Sequence, residues 1–139
     1  MRIRPFAEFE ADFPYDGVEG DETVDFEEIV PPARNVAEAI GLLLGPLGHE
    51  ISPAIQDDHG WWINIKDGRR RYELYVGFTY DNNTYVLHAK EAFGLWLRSD
   101  FPNFLTKLNS ALNSDHRFSK ARWSASRDDK TTTDTPIVE

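Results

Sequence analysis

The sequence has no cysteine in its 139 residues. That absence excludes a disulfide-stapled scaffold, a thiolate zinc site and a cysteine nucleophile. No apolar run approaches the roughly 20 residues of a membrane-spanning helix, and the N-terminal segment lacks the uninterrupted apolar region of a secretory signal. We therefore expect a cytoplasmic protein that does not associate with a membrane.

Sequence motifs of catalysis are also missing. The chain contains no GxSxG elbow, no GxxxxGK(S/T) loop and no GxGxxG turn. Its four histidines form neither an HExxH motif nor a pair four residues apart: His49, His59, His88 and His116. We therefore predict no metal and no cofactor. Residues 57–59 (DDH) could chelate a divalent ion, but a solvated loop tip is the commoner use of such a tripeptide. We expect a binding protein rather than an enzyme.

The net charge of −9 is concentrated in one segment. Residues 1–30 hold ten acidic residues against two arginines, a balance of −8, and the other 109 residues hold 14 acidic and 13 basic residues, a balance of −1. A nucleic-acid ligand is not expected, because this segment would repel phosphates. The segment is also richer in aromatic residues than a disordered tail usually is: Phe6, Phe9, Phe13, Tyr15 and Phe26. This composition suggests an extended acidic arm that docks by these rings, although a structured first strand followed by an acidic solubilising loop is the commoner use of such a segment.

The most informative stretch runs from Gly60 to Lys90, where two turn signals separate three runs of alternating apolar residues. Asp67-Gly68 predicts a tight type I′ hairpin turn that pairs Lys66 with Arg69, and Asn82-Asn83 predicts a second turn that pairs Tyr80 with Tyr85. Both turns put one apolar set on the same side of the sheet, which we predict to be the core face: Trp61, Ile63, Tyr72, Leu74, Val76, Phe78, Leu87 and Ala89.

The segments around this meander predict the rest of the sheet. Residues 50–57 alternate weakly and contain Pro53, which favours an edge strand; a loop over residues 58–60 would then place Ile55 opposite Ile63. Residues 116–124 (HRFSKARWS) predict a last strand, and Lys90 to Arg98 is either a further strand or an irregular link.

Two helices are predicted. Asn35 and Glu38 have the spacing of a capping box, so we expect the first helix to begin at Asn35 and to end at Gly45. Gly41 within it indicates close contact between helix and sheet. The second helix should run from about Pro102 to Asn113.

Together these elements predict an α+β fold: an antiparallel β-meander of three to five strands with two helices packed on one face. We divide the chain into an acidic, aromatic-rich N-terminal arm over residues 1–32, one α+β domain over residues 33–124, and a disordered tail over residues 125–139.

The face of the sheet opposite the core carries the candidate binding residues. Interface centres are enriched in tryptophan, tyrosine and arginine. The predicted outward face offers such residues, and we assign it the candidate partner-binding set: Trp62, Arg71, Glu73, Tyr75 and His88. The alternative is that the protein's own N-terminal arm or C-terminal strand covers this face.

Two segments, Gly60–Gly77 (GWWINIKDGRRRYELYVG) and Asp115–Trp123 (DHRFSKARW), resemble the small, acidic, cysteine-free bacterial proteins of the toxin-immunity kind. The resemblance implies a protein-binding domain. More specifically, it implies an immunity-type inhibitor that engages a basic partner through the acidic arm or the aromatic sheet face. It brings no catalytic residues with it. The alternative is a small-molecule-binding or enzymatic domain with a pocket between sheet and helices, using His88 and Glu73. A homodimer formed through a sheet edge is a third hypothesis.

Overall fold

A computed structural model of the chain describes residues 1–18, 30–92 and 100–139. Within these ranges lie two helices, α1 (Arg34–Leu44) and α2 (Phe101–Ser114), and a 3-10 turn over Gly45–Leu47. The strands in the same ranges are β1 (Arg2–Ile3), β2 (Phe6–Ala11), β3 (Glu50–Ile51), β4 (Ile55–Gln56), β5 (Gly60–Asp67), β6 (Arg70–Thr79), β7 (Thr84–Ala92), β8 (Phe118–Ser124) and β9 (Ile137–Val138).

One antiparallel sheet dominates the fold. Its strand order is β3-β5-β6-β7-β2-β8, β4 pairs with β5 beside β3, and β1 pairs separately with β9. Both helices pack on one face of this sheet. The Phe104 ring of α2 stacks on the Tyr72 ring of β6 with centroids 4.1 Å apart, and Asn109 of α2 accepts a hydrogen bond from the buried indole N–H of Trp123. The predicted α+β class is confirmed.

Both hairpin turns of the meander lie one position away from their prediction. Asp67 pairs with Arg70, and Lys66 therefore lies opposite Arg71 rather than Arg69. Gly68 has φ 62° and Arg69 has no positive φ, which fits a type II′ turn with glycine at its first central position. Asp67 is therefore the last paired residue of its strand and not a turn residue. The second loop spans residues 80–83, so Thr79 rather than Tyr80 opens the next ladder.

These shifts change the register by two residues and leave the faces unchanged, because side chains alternate with a period of two. The predicted core face is buried except for Phe78, which is partly buried and packs against the core: Trp61, Ile63, Tyr72, Leu74, Val76, Leu87 and Ala89.

The predicted edge strand over residues 50–57 is split into β3 and β4. Ile51 lies opposite Ile65 but Ile55 lies opposite Trp62, so the register slips by one residue between the two short strands. Pro53 stands at the interruption, where its missing N–H cannot join a ladder. The pairing of Ile55 with Ile63 is therefore wrong, and Ile55 faces outward.

The N-terminal segment enters the sheet, as the alternative of a first strand predicted. β2 lies between β7 and β8, and its Ala7 and Phe9 are buried in the core. Two of its acidic residues contact neighbouring strands: Glu8 accepts a 2.6 Å hydrogen bond from the Thr84 hydroxyl, and Glu10 pairs with Lys120. The docked-arm prediction is wrong for residues 6–11. Residues 19–29, which hold six of the ten acidic residues, lie outside the described part of the chain.

The predicted disorder of residues 125–139 is wrong at the end of the chain. β9 pairs with β1, Pro136 is buried, and Thr133 exchanges backbone hydrogen bonds with Trp123. The partner of β9 lies at the opposite end of the sequence, and no local pattern indicates it.

The start of α1 corrects the capping-box prediction. The helix begins at Arg34, and the Asp16 carboxylate accepts hydrogen bonds from the backbone N–H groups of Ala33 (2.7 Å) and Asn35 (2.9 Å). Glu38 pairs instead with Arg34 on the surface. A distant carboxylate thus supplies the negative group that a helix N-terminus favours.

The other helix and strand predictions hold closely. α1 ends at Leu44, and a Cβ at Gly41 would lie only 2.8 Å from Ile51 Cγ2, which confirms the close contact with the sheet. α2 and β8 match their predicted spans to within two residues. β7 continues to Ala92. The sequence predicts either a further strand or an irregular link up to Arg98, and residues 93–99 lie outside the described residues.

Candidate functional site

The outward face of the sheet carries one row of large apolar and aromatic side chains. Direct cross-strand pairs connect Ile55 to Trp62, Trp62 to Tyr75, Tyr75 to His88 and His88 to Phe6. Paired residues share a face, so the five side chains cross five strands side by side. We call this set the outward row. Neither described helix covers it, because α1 and α2 pack on the opposite face.

Trp62 is held in place from three sides. Its indole N–H donates a 2.6 Å hydrogen bond to the Asp57 carboxylate, and its ring lies 5.2 Å from the ring of Tyr75. The Lys90 ammonium lies over the same indole at 5.3 Å. The Trp62 hydrogen bond is the main reason that the pKa of Asp57 is lowered, with the Asp58 backbone N–H adding to it. A ring fixed in this way is preorganised for contact.

Tyr75 lies over two glycines that face each other on β5 and β6. A Cβ at Gly60 would come within 2.7 Å of the Tyr75 ring, and one at Gly77 within 3.2 Å of its hydroxyl oxygen. The paired glycines therefore form a depression in the sheet that this ring occupies. Burial raises the pKa of Tyr75, Asp57 raises it further, and Arg127 opposes the shift.

A groove of about 720 Å³ opens beside the outward row. Its floor includes Phe6, Tyr75 and His88, and its rim includes His59 and Arg127. The pKa of His88 is lowered, first by burial and then by Lys90, so the imidazole is favoured in its neutral form. The groove combines an apolar floor with a few polar groups, which is the usual composition of a binding site.

Arg71 and Glu73, the other two predicted site residues, lie in neighbouring rows of the same face. Glu73 aligns with Asn64 and Lys90, and Arg71 aligns with Lys66. A second groove of about 540 Å³ is lined in part by Lys66, Arg71 and Glu73. All five predicted residues thus share the outward face, but only Trp62, Tyr75 and His88 form one row.

Sequence reasoning missed two members of the row. Ile55 was predicted to face the core, and its outward position follows from the slip after Pro53. Phe6 was assigned to an arm, although the alternation of Ala7 and Phe9 with Glu8 and Glu10 is the pattern of a half-buried strand with Phe6 on its outer side.

In the ranges that the structure describes, no three histidine, aspartate or glutamate side chains gather in a way that could hold a metal ion. No helix in those ranges is both long and apolar enough to cross a membrane. Comparison of the chain with family models, curated proteins and solved structures finds no match.

Proposed function

We propose that the protein is a cytoplasmic protein-binding domain whose partner contacts the outward row. The observation that carries this proposal is the row itself: Ile55, Trp62, Tyr75, His88 and Phe6 adjoin one another on the face that α1 and α2 leave uncovered. Ile55 is 49% exposed, so this end of the row is open to contact.

Rigid support favours binding over incidental exposure. The row lies on regular strands, Trp62 is fixed by Asp57 and Lys90, and Tyr75 is seated on the glycine pair. Ordering these rings therefore costs little when a partner binds, and fixed aromatic rings at an interface centre carry a large share of the binding energy.

A comparison of baits tests this proposal. The full-length protein, its Trp62→Ala variant and its Leu42→Ala variant are each used to capture partners from the source cell at low salt. Leu42 is a matched control, because it is an apolar residue 77% exposed on α1, on the other side of the sheet. We expect one stoichiometric protein that the wild type and Leu42→Ala retain and Trp62→Ala loses. Equal capture by all three, or no such protein, would contradict the proposal.

The immunity-type inhibitor is the specific form of this proposal, and its support is the resemblance of the segments Gly60–Gly77 and Asp115–Trp123. It requires that the captured partner be a toxic protein and that co-expression of the wild-type chain relieve the toxicity. It also requires Trp62→Ala to relieve the toxicity less well.

A small-molecule-binding function is the second candidate, and the groove beside His88 favours it. Its volume of about 720 Å³ lies within the range of ligand sites. It lies on the outward face, whereas the sequence predicted a pocket between sheet and helices. A ligand bound only by the folded state raises the melting temperature. A metabolite screen in which compounds stabilise the wild type but not His88→Ala would support this candidate, and a screen without any shift would exclude it.

A further inference from the structure

We infer that the partner segment at the outward row is a proline-rich stretch in the polyproline II conformation, with a basic residue at its end. This inference rests on the proposed function and adds the chemistry of the partner. Four properties of the row support it: the pairing of its main chain, its hydrogen-bond donors, the spacing of its rings and the charges beside it.

The row lies on the face of the sheet and not at its edge. Trp62, Tyr75 and His88 each belong to a strand that is paired on both sides. A partner strand would therefore find no free main-chain groups to pair with at these positions. The bound segment needs a main chain that is satisfied without a ladder, as in an α-helix or in polyproline II, whose main chain stays solvated.

The hydrogen-bond donors of the row favour polyproline II over an α-helix. The Tyr75 hydroxyl and the His88 ring both line the groove, and neither has a hydrogen-bond partner among the described residues. Burial raises the pKa of Tyr75, so its hydroxyl stays protonated, and burial lowers the pKa of His88, whose neutral ring keeps one N–H. An α-helix uses its carbonyl groups internally, whereas the carbonyl groups of polyproline II are open to such donors.

The spacing of the rings matches a polyproline II helix that lies across the strands. Adjacent strands are about 4.8 Å apart, so Trp62 and His88, on strands two apart, are separated by about 9.6 Å. Residues three apart in polyproline II share one side and lie about 9.3 Å apart. Neighbouring rings of the row are inclined to each other, by 57° for Trp62 and Tyr75 and by 56° for Phe6 and His88. They therefore form apolar ridges between which proline rings can pack.

The charges beside the row favour a basic residue next to the prolines. Lys90 already lies over the Trp62 ring, and Arg127 is the one lysine or arginine among the described residues that line the groove. Four carboxylates adjoin the row: Asp57, Asp58, Glu73 and Glu8. An acidic segment would be repelled by them, whereas an uncharged segment with a basic end complements them.

The test uses three capped peptides of about nine residues, or three turns of polyproline II, with the full-length protein at low salt. In the first, pairs of prolines alternate with leucine and an arginine stands at each end. The second has alanine in place of each proline and can form an α-helix. The third has glutamate in place of each arginine. Binding is followed by the indole N–H resonance of Trp62, assigned with a Trp62→Phe variant.

We expect the first peptide to shift that resonance. The alanine peptide should bind about tenfold more weakly, because it is not preorganised as polyproline II, and the glutamate peptide should also bind more weakly. Tyr75→Phe removes the hydroxyl donor, keeps the ring and should weaken the first peptide about fivefold. Tyr85→Phe makes the same change at a buried position on the core face and should leave binding unchanged.

A second pair of variants separates local charge from net charge. Asp58→Asn should weaken the first peptide about twofold, the usual size of an exposed ion pair. Glu38→Gln changes the net charge equally on α1, on the other side of the sheet, and should leave binding unchanged.

The inference is overturned if the alanine or the glutamate peptide binds as tightly as the first, or if no peptide shifts the resonance. Equal effects within either pair of variants would overturn it as well. The proposed function fails separately. If the wild type captures a partner that Trp62→Ala loses, and an excess of the first peptide does not displace that partner, the inference is wrong and the proposed function stands.

Discussion

The ammonium group of Lys90 lies over the indole ring of Trp62, 5.3 Å from its centroid. The two residues come from β7 and β5 and are separated by β6, so the Lys90 side chain reaches across the strand of Tyr75. This contact joins the basic part of the outward face to its aromatic row. It also shields one face of the Trp62 indole from water.

Lys90→Met tests this contact, because it keeps a long apolar side chain and removes the charge. We expect the free energy of unfolding to fall by about 0.5 kcal/mol, the usual size of an exposed cation–π contact. Urea unfolding measures the change. Lys120→Met is the control, since Lys120 is exposed and paired only with Glu10. A Lys90→Met protein as stable as the wild type would show that the contact contributes nothing.

Replacement of Asp16 tests which carboxylate caps the N-terminus of α1. Asp16→Ala removes the acceptor of two backbone N–H groups at the helix start, and we expect it to cost about 1–2 kcal/mol. Glu38→Ala removes only an exposed pair with Arg34 and should cost at most about 0.5 kcal/mol. Urea unfolding of both variants decides between the two caps. A larger loss for Glu38→Ala would restore the capping box that the sequence predicts.

His49 predicts a dependence of stability on pH. It is 7% exposed, and neither ring nitrogen has a hydrogen-bond partner among the described residues. Burial lowers the pKa of His49 below its usual value of 6.5; Asp67 opposes this shift and Lys107 adds to it. The unfolded chain therefore takes up a proton at a higher pH than the folded chain. The free energy of unfolding should fall as the pH drops below 6.5 towards the folded-state pKa.

His49→Leu should reduce this fall and leave stability at neutral pH unchanged or higher, because it removes a buried polar group without partners. Some fall will remain, since the pKa of His88 is lowered as well. Urea unfolding near pH 7.5 and near pH 5 brackets the titration of histidine. The control is His116→Leu, at an exposed position. An equal fall in the wild type and in His49→Leu would exclude His49 as its source.

Gly77→Ala tests the seat of Tyr75. Gly77 has no positive φ, so alanine fits the backbone, but its Cβ would lie 3.2 Å from the Tyr75 hydroxyl oxygen and displace the ring toward solvent. Because burial is the main cause of the raised Tyr75 pKa, that pKa should move back toward 10.0. A titration of the tyrosine ring resonances measures it. Gly45→Ala, which meets no atom, should leave the value unchanged.

The sequence predicts the core and the outward face of the meander correctly, although both turns are misplaced. Each misplacement shifts the register by two residues, which returns every side chain to its own face. The slip at Ile55 is by one residue and therefore reverses the face. A register error of two residues therefore leaves the predicted face of each side chain correct, whereas an error of one residue reverses it. The one-residue error here occurs next to Pro53, which interrupts the strand.

The contacts that the sequence does not predict are those between distant segments. Phe6 pairs with His88 and Ser124, and Asp16 caps a helix that begins well after it. Alternation around Phe9 indicates a strand but does not indicate its neighbours. The outward row was consequently predicted with three of its five members, the ones that local hairpins bring together.

Photocrosslinking places the partner on one side of the sheet or the other. A photo-reactive phenylalanine analogue replaces Ile55 on the outward row in one variant and Leu42 on α1 in another, both at exposed positions. We predict that the captured partner crosslinks from position 55 and not from position 42. Crosslinking from position 42 alone, or equally from both positions, would contradict binding through the outward row.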